Sequence, residues 1–328
     1  VTAPRETAVR VGTRASVLAT TQSRLVADQI AARLGREVEL VEIATEGDRS
    51  QAAGTPLAGT SSTGVFVNAL RDALLDGRVD VAVHSLKDLP TYAADGITLA
   101  AVPTREDPRD AVVARDGLTL GELPVGSRVG TGSPRRAAQL HALGLGVEVV
   151  GVRGNVDTRI AKVRSGEYDA VVLARAGLAR IGRLEEATEV LDPLQMLPAP
   201  GQGALAVECR TDDDLAVQLR EVLDDPRTRA AVEAERAVLA TLEGGCSAPI
   251  GALAEVAEGE DGEELWVRAI ALSPDGGLSV RMSATGDPAD AAGVGDRLAK
   301  EMLADGAADL TQPTNDSPHD ELDKVQNA

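Results

Sequence analysis

Ser127-Arg-Val-Gly-Thr-Gly-Ser-Pro-Arg-Arg136 passes from a short apolar run into a helix start. Ser133 is a good N-cap and Pro134 suits the first helical position, so the spacing predicts a strand over 127–130 and a helix over 134–142. The pattern occurs earlier as well. Val11-Gly12-Thr13 leads into a helix beginning near Ser16, and Asp80-Val-Ala-Val83 and Asp169-Ala-Val-Val172 each read as a strand ending at a polar or basic loop. Chance similarity of simple strands is one reading. The other is two similar α/β domains facing each other across a cleft, with ligands at strand C-termini and helix N-termini.

Working outward, short β-branched runs alternate with helical patterns through the first two-thirds of the chain, which favours α/β layers with largely parallel sheets. In the first helix Leu18, Leu25, Ile30 and Leu34 can line one face. The Pro-rich stretch Val102 to Pro108 is a candidate hinge, after which a second series begins with a strand at 110–114. Leu197-Pro-Ala-Pro-Gly-Gln-Gly-Ala204 breaks the pattern before another strand at Leu205 to Glu208. A helix from Thr228 to Leu242, three strands and a helix from about 288 to 304 make a smaller α+β unit. The polar stretch from Thr311 to Ala328, with Pro313 and Pro318, reads as a disordered tail.

The 328 residues carry 33 Lys and Arg against 52 Asp and Glu, a formal charge of −19. Only Phe66, Tyr92, Tyr168 and Trp266 are aromatic, so stacking on nucleic acid has little support. No apolar run reaches the 18 or so residues that span a bilayer. Two cysteines, Cys209 and Cys246, are too few for a disulfide framework and favour a reducing, cytoplasmic setting. The cations are segregated: from Arg128 to Arg180 nine stand against four acids, a local +5 that leaves −24 for the remainder.

That cluster contains the candidate anion site. Arg135 and Arg136 in a first helical turn oppose the helix dipole, at roughly 0.3–1 kcal/mol each unless an anion offsets it. Helix N–H groups, the Ser133 hydroxyl and two guanidinium groups would hold a carboxylate or phosphate; the alternative is two arginines paired at the surface. Arg153 and Arg159 flank a further helix start, and Arg14 is the counterpart in the first domain. His84-Ser-Leu-Lys87-Asp88-Leu-Pro90 places a Lys–Asp pair in a turn after a strand, either an acid/base constellation or a structural ion pair. His84 reads as packed or hydrogen-bonded and Cys209 as a small buried residue. Cys246 follows Gly244 and Gly245, which makes an accessible thiol plausible.

Taken together, the segments GTRAS, VDVAVHSLKDLP, REDPRDA, VGTGSPRR, VRGNVDTR, GEYDAVVLARAGL, PAPGQGALAVECR and LEGGCSAPIG resemble, in order, the porphobilinogen deaminase family over roughly Val9 to Gly306. The resemblance implies two α/β domains like those of periplasmic binding proteins plus a smaller α+β domain. Its divisions are 7–102 with 204–222, then 108–198, then 226–308, with the tail 311–328 outside them. It implies a monomer that joins four porphobilinogen molecules head to tail with loss of ammonia, and neither a membrane nor a nucleic-acid partner. A dipyrromethane cofactor would be held by a thioether at Cys246, with no metal. Asp88 would be the catalytic carboxylate beside the pyrrole nitrogens. Arg14, Lys87, Arg135, Arg136, Arg153, Arg159 and Arg180 would hold acetate and propionate groups, with Ser16, Thr131, Ser133 and Gln202 in the same motifs.

The chain also departs from the family. Segment 54–64 lacks the lysine of many relatives, although Phe66 keeps the place of an aromatic that can pack on a pyrrole. Gly132-Ser133-Pro134 stands where Ser-Ser-Leu is common, and Arg175 where an apolar residue is frequent. The rival reading from another class is a carboxylate-binding protein without chemistry, which leaves the third domain and Cys246 unexplained.

Overall fold

The computed structural model describes residues 8–43, 62–242, 249–259 and 262–311, with side chains from 67 in the second stretch and to 310 in the last. Cys246, the side chain of Phe66, most of segment 54–64 and the tail 312–328 lie outside the described residues. The chain begins β1 (Val9–Thr13), α1 (Val17–Leu34), β2 (Val38–Glu42), α2 (Ser62–Leu75), β3 (Val81–Ser85), β4 (Ile97–Ala101). It continues β5 (Asp110–Ala114), β6 (Arg128–Thr131), α3 (Pro134–Ala142), β7 (Glu148–Gly151), α4 (Val156–Arg164), β8 (Ala170–Ala174), α5 (Arg175–Arg180), β9 (Glu189–Val190). Then come β10 (Leu205–Arg210), α6 (Asp214–Leu223), α7 (Pro226–Thr241), β11 (Ile250–Gly259), β12 (Gly262–Leu272), β13 (Ser279–Gly286), α8 (Ala291–Ala304) and α9 (Ala307–Thr311).

Two five-stranded sheets share one plan. Their orders are β2-β1-β3-β10-β4 and β7-β6-β8-β5-β9, each with two parallel pairings followed by two antiparallel ones. The sheets are therefore mixed rather than largely parallel. The physical reason is that the chain crosses between them twice: β5 and β10 enter from the connectors and run against their neighbours. The likeness between the halves extends to register. Gly12 pairs with Ala82 and Gly130 with Val171, while the Arg10 and Arg128 amides donate to Asp80 and Asp169 at 3.0 and 2.7 Å.

Each sheet buries both faces. Val9, Val11, Val26, Ile30, Val81, Val83 and Leu219 pack on one side of the first, and Leu70, Leu74, Val79 and Ala82 on the other. At about 1.5–3 kcal/mol per buried aliphatic side chain, such Val and Leu layers stabilise the fold without aromatics. The inward face of α1 is set by Gln22, Ser23, Val26, Ala27 and Ile30, and Leu25 of the expected stripe is 42% exposed. A third, antiparallel sheet, β11-β12-β13, packs against α7 and α8 through an Ala-rich core.

Candidate active site

The C-terminal ends of the parallel strands meet between the two five-stranded sheets. After β3 the chain makes a tight turn over Leu86–Asp88, closed by the Leu89 amide donating to Leu86 O at 3.1 Å. Buried Leu86 anchors the turn, and Arg236 of α7 donates to the Leu89 and Pro90 carbonyls at 3.1 and 2.6 Å. Lys87 and Asp88 thereby project from a fixed backbone into the cleft. Across it, the Ser133 hydroxyl accepts from the Arg136 amide at 3.4 Å, capping α3 as expected. Gly132 allows the Val152 carbonyl to approach so closely that an added Cβ would lie 2.9 Å from it, which explains glycine at that place.

Two adjoining cavities occupy the cleft. One of about 270 Å³ is lined by Lys87, Asp88, Ser133, Arg135, Arg136, Arg159 and Gln202, with Leu239 and Ile250 from the third unit. The other, about 250 Å³, is lined by Arg14, Ser16, Asn155 and Asp157 with apolar Val17, Leu18 and Ile181. Lys87, Arg136 and Arg159 border both.

The arginine pair is buried. Asp110, fully buried and not foreseen from sequence, accepts from Arg135 Nη2 at 2.8 Å and from Arg136 Nη2 at 2.7 Å. Gln202 Nε2 donates to the same carboxylate at 2.7 Å, and its Oε1 accepts from Lys87 Nζ at 3.2 Å. Burial pushes the Asp110 carboxyl up, but the two guanidinium groups outweigh it and hold it well below the usual carboxylate range. The surface-arginine reading is therefore overturned. Arg135 nevertheless spends Nη1 on the Leu197 carbonyl and Nη2 on Asp110, so much of it is structural. The buried Nε atoms of Arg135 and Arg136 have no hydrogen-bond partner among the described residues.

The Lys87 ammonium is pushed down to about 8, chiefly by burial and then by Arg136, against the opposing pull of Asp88. Burial, then Arg136, also lowers Arg159, whose Nε donates to the Gly154 carbonyl at 2.8 Å. In the larger cavity, four cationic side chains thus face the single lining carboxylate of Asp88. Such a surface suits a ligand with several carboxylates.

Other expected site residues lie away from the cavities. Arg153 is exposed and borders neither. Thr131 is buried and accepts from the Ser133 amide at 3.1 Å. Arg180 donates to Gly203 O at 2.5 Å, and burial lowers it to about 10. Arg175, unexplained by sequence, reaches Glu106 at 2.8 Å and Asp107 at 3.3 Å.

His84 is packed, as expected, with Nε2 3.2 Å from a Glu208 carboxylate that Arg71 also grips at 2.7 Å. Burial pushes Glu208 up, but these partners bring it down to about 2. Burial raises the Cys209 thiol to about 12, an inert group. Asp110, Glu208 and Glu235 could have been suspected only as acids inside apolar strands or helix faces.

Among the described residues no helix is long and apolar enough to cross a membrane. The chain is similar to a periplasmic substrate-binding protein of an ABC transporter from Coxiella burnetii, with a TM-score of 0.41 and 16% identity over 66% of this chain and 92% of that one. It is 59% identical to the porphobilinogen deaminases of Mycobacterium bovis and Mycobacterium tuberculosis, over 92% of this chain and 98% of theirs. To that of Mycobacterium marinum it is 56% identical, over 94% and 99%. The family model "Porphobilinogen deaminase, dipyromethane cofactor binding domain" matches residues 9–218, and "Porphobilinogen deaminase, C-terminal domain" matches 229–304. On these matches, the chain belongs to the porphobilinogen deaminase family.

Proposed function

We propose that Lys87, Arg136 and Arg159, which border both cavities, together with Asp88 in the first of them, carry the family's reaction in this chain. That reaction is the transferase activity of hydroxymethylbilane synthase in porphyrin biosynthesis. Four porphobilinogen molecules condense head to tail, each losing ammonia, to give a linear tetrapyrrole. The observation that carries the residue assignment is the set of cations at the cavity wall, with two buried guanidinium Nε atoms lacking partners among the described residues.

The same observation fits a dipyrromethane with its acetate and propionate arms. Leu239 and Ile250, on either side of the segment containing Cys246, line the cavity that Asp88 enters. Cys246 would hold the group through a thioether, and Arg135, Arg136, Ser133 and Gln202 would face it. When bound, it supplies the free pyrrole α-carbon to which substrate is added.

Asp88 is the acid/base group. Its carboxylate accepts from a pyrrole N–H, stabilises the positive charge that develops on the substrate ring as ammonia leaves, and takes up a proton at Oδ. Lys87, Arg136 and Arg159 orient the substrate by its carboxylates; Arg14 and Ser16 hold the far side of the smaller cavity, and Phe66 packs on a ring. Thr131 supports the Ser133 cap, Arg153 adds its charge from outside the two cavities, and Arg180 supports the connectors while its charge adds to the field. The chain acts as a monomer in the cytoplasm, with domains 7–102 plus 204–222, 108–198 and 226–308. No nucleic acid, membrane or metal takes part, and the tail 311–328 has no assigned role.

Intact-mass measurement tests the cofactor assignment. Purified protein should carry an adduct of two pyrrole units, absent from Cys246→Ser, and an unmodified but active protein would overturn it. Asp88→Asn should keep the adduct and lose porphobilinogen turnover by at least about a hundredfold, the usual worth of a general acid/base. Near-normal porphobilinogen consumption by that variant would remove Asp88 from the chemistry.

A further inference from the structure

The two cavities, about 270 and 250 Å³, are small beside a chain of two cofactor rings and four substrate rings, each carrying two carboxylate arms. Separation of the sheets would make room as rings are added. They are joined by two connectors, residues 102–109 going out and 191–204 returning, and the Glu106 amide ties one to the other by donating to Gly203 O at 3.2 Å.

One short helix of the second sheet, α5, holds both connectors. At its C-terminal end Arg180 donates to Gly203 O on the returning connector. At its first position Arg175 donates from Nη1 to Glu106 Oε1 at 2.8 Å, and its Nε lies 3.3 Å from Asp107 Oδ2 on the outgoing one. The Arg175 amide also donates to Arg109 O at 3.0 Å, and Arg109 Nη2 reaches Asp107 at 2.6 Å. A cation at a helix start opposes the dipole, so this placement depends on the two connector acids. The group is partly exposed, at 20% for Arg175 and Asp107 and 39% for Glu106. None of these five side chains borders either cavity.

We infer that Arg175 is a positioning residue for chain elongation: its ion pairs with Glu106 and Asp107 hold the outgoing connector against α5 and resist the widening of the cleft that later ring additions require. This rests on the reading of the cleft given above. First-ring addition places the fewest rings in the cleft and calls least on the latch.

The test compares wild type, Arg175→Ala and Glu106→Gln, each as the cofactor-loaded enzyme given limiting porphobilinogen, with enzyme-bound ring number followed by native mass spectrometry. Both variants should add the first ring at the wild-type rate and the third and fourth about two- to fivefold faster, the worth of a partly exposed ion pair. Raising the salt should bring wild type toward the variants by screening the pair. A ring distribution identical to wild type at low salt, or an equal change at all four additions, would overturn the inference. Hydrogen exchange on the same loaded enzymes without porphobilinogen provides a second arm. Amides of 103–109 and 201–203 should exchange faster in Arg175→Ala, and unchanged exchange would also overturn it. A wild type that forms no bound-ring series would instead count against the proposed function and leave the exchange result to decide the latch.

Discussion

Lys87 shows how one side chain trades stability for binding. Its stem is anchored in the turn after β3, and burial with Arg136 nearby holds its ammonium near 8 instead of the ordinary 10.5. Between those values the unfolded chain binds more protons than the folded one, so this residue's contribution to stability rises with pH from about 8 to 10.5. Below pH 8 the whole penalty is present. Lys87→Met should therefore raise the melting temperature of the protein at pH 7 by a few degrees, with the advantage fading between about pH 8 and 10.5, as thermal scans across that range would show. The same substitution should raise KM at least about tenfold by removing a charge-assisted contact to substrate carboxylate. In the wild type, KM should climb as pH passes through about 8. A KM unchanged by both pH and substitution would take Lys87 out of substrate binding.

At the scale of elements, the connectors are held by backbone shape as much as by charge. Gly203 has φ +87°, and an added Cβ would lie 2.3 Å from the Glu106 carbonyl oxygen. Gly166 has a similar φ of +77° but open space around it. Gly166→Ala should cost about 1–2 kcal/mol from handedness alone, whereas Gly203→Ala should cost clearly more, because the added Cβ meets the Glu106 carbonyl oxygen. Denaturant unfolding of the pair measures the difference, and equal losses would show that the connectors yield freely. Local signals placed α3 well because Ser133 and Pro134 fix its start whatever surrounds it. The inward face of α1 was less legible: Gln22 and Ser23 are buried, Gln22 bonding Ser85 at 3.0 Å, and a hydrophobic stripe does not reveal a polar residue whose partner is 63 positions away. Strands β4 and β9 and helices α5, α6 and α9 are not read from sequence; β9, α5 and α9 are short, whereas α6 does carry a stripe, Leu215, Leu219 and Leu223.

At the scale of the whole molecule, Glu235 of α7 ties the third unit to both connectors. Fully buried, it accepts from Arg105 at 2.6 and 3.0 Å, from the Gly201 amide at 2.6 Å and from the Ala254 amide at 2.8 Å. Glu235→Gln would leave Arg105, 9% exposed, without its counter-charge. Losing one partner of a buried pair costs about 3–5 kcal/mol, so hydrogen exchange should accelerate together at 201–203 and 250–254. Exchange confined to one of those segments would deny the residue its bridging role. The sequence by itself determined the alternation of strands and helices, the capped start of α3, the +5 cluster and, through eight ordered motifs, the family. These are properties of neighbours along the chain, where periodicity, caps and spacing act. Only the tertiary structure decided that the sheets are mixed, that Arg135 and Arg136 share a buried Asp110, that Arg153 stands outside the cavities and that Arg175 grips a connector. Each of those depends on how groups tens of residues apart come together, and for Arg135, Arg136 and Asp110 burial is what turns a surface-like charge into a partner that must be satisfied.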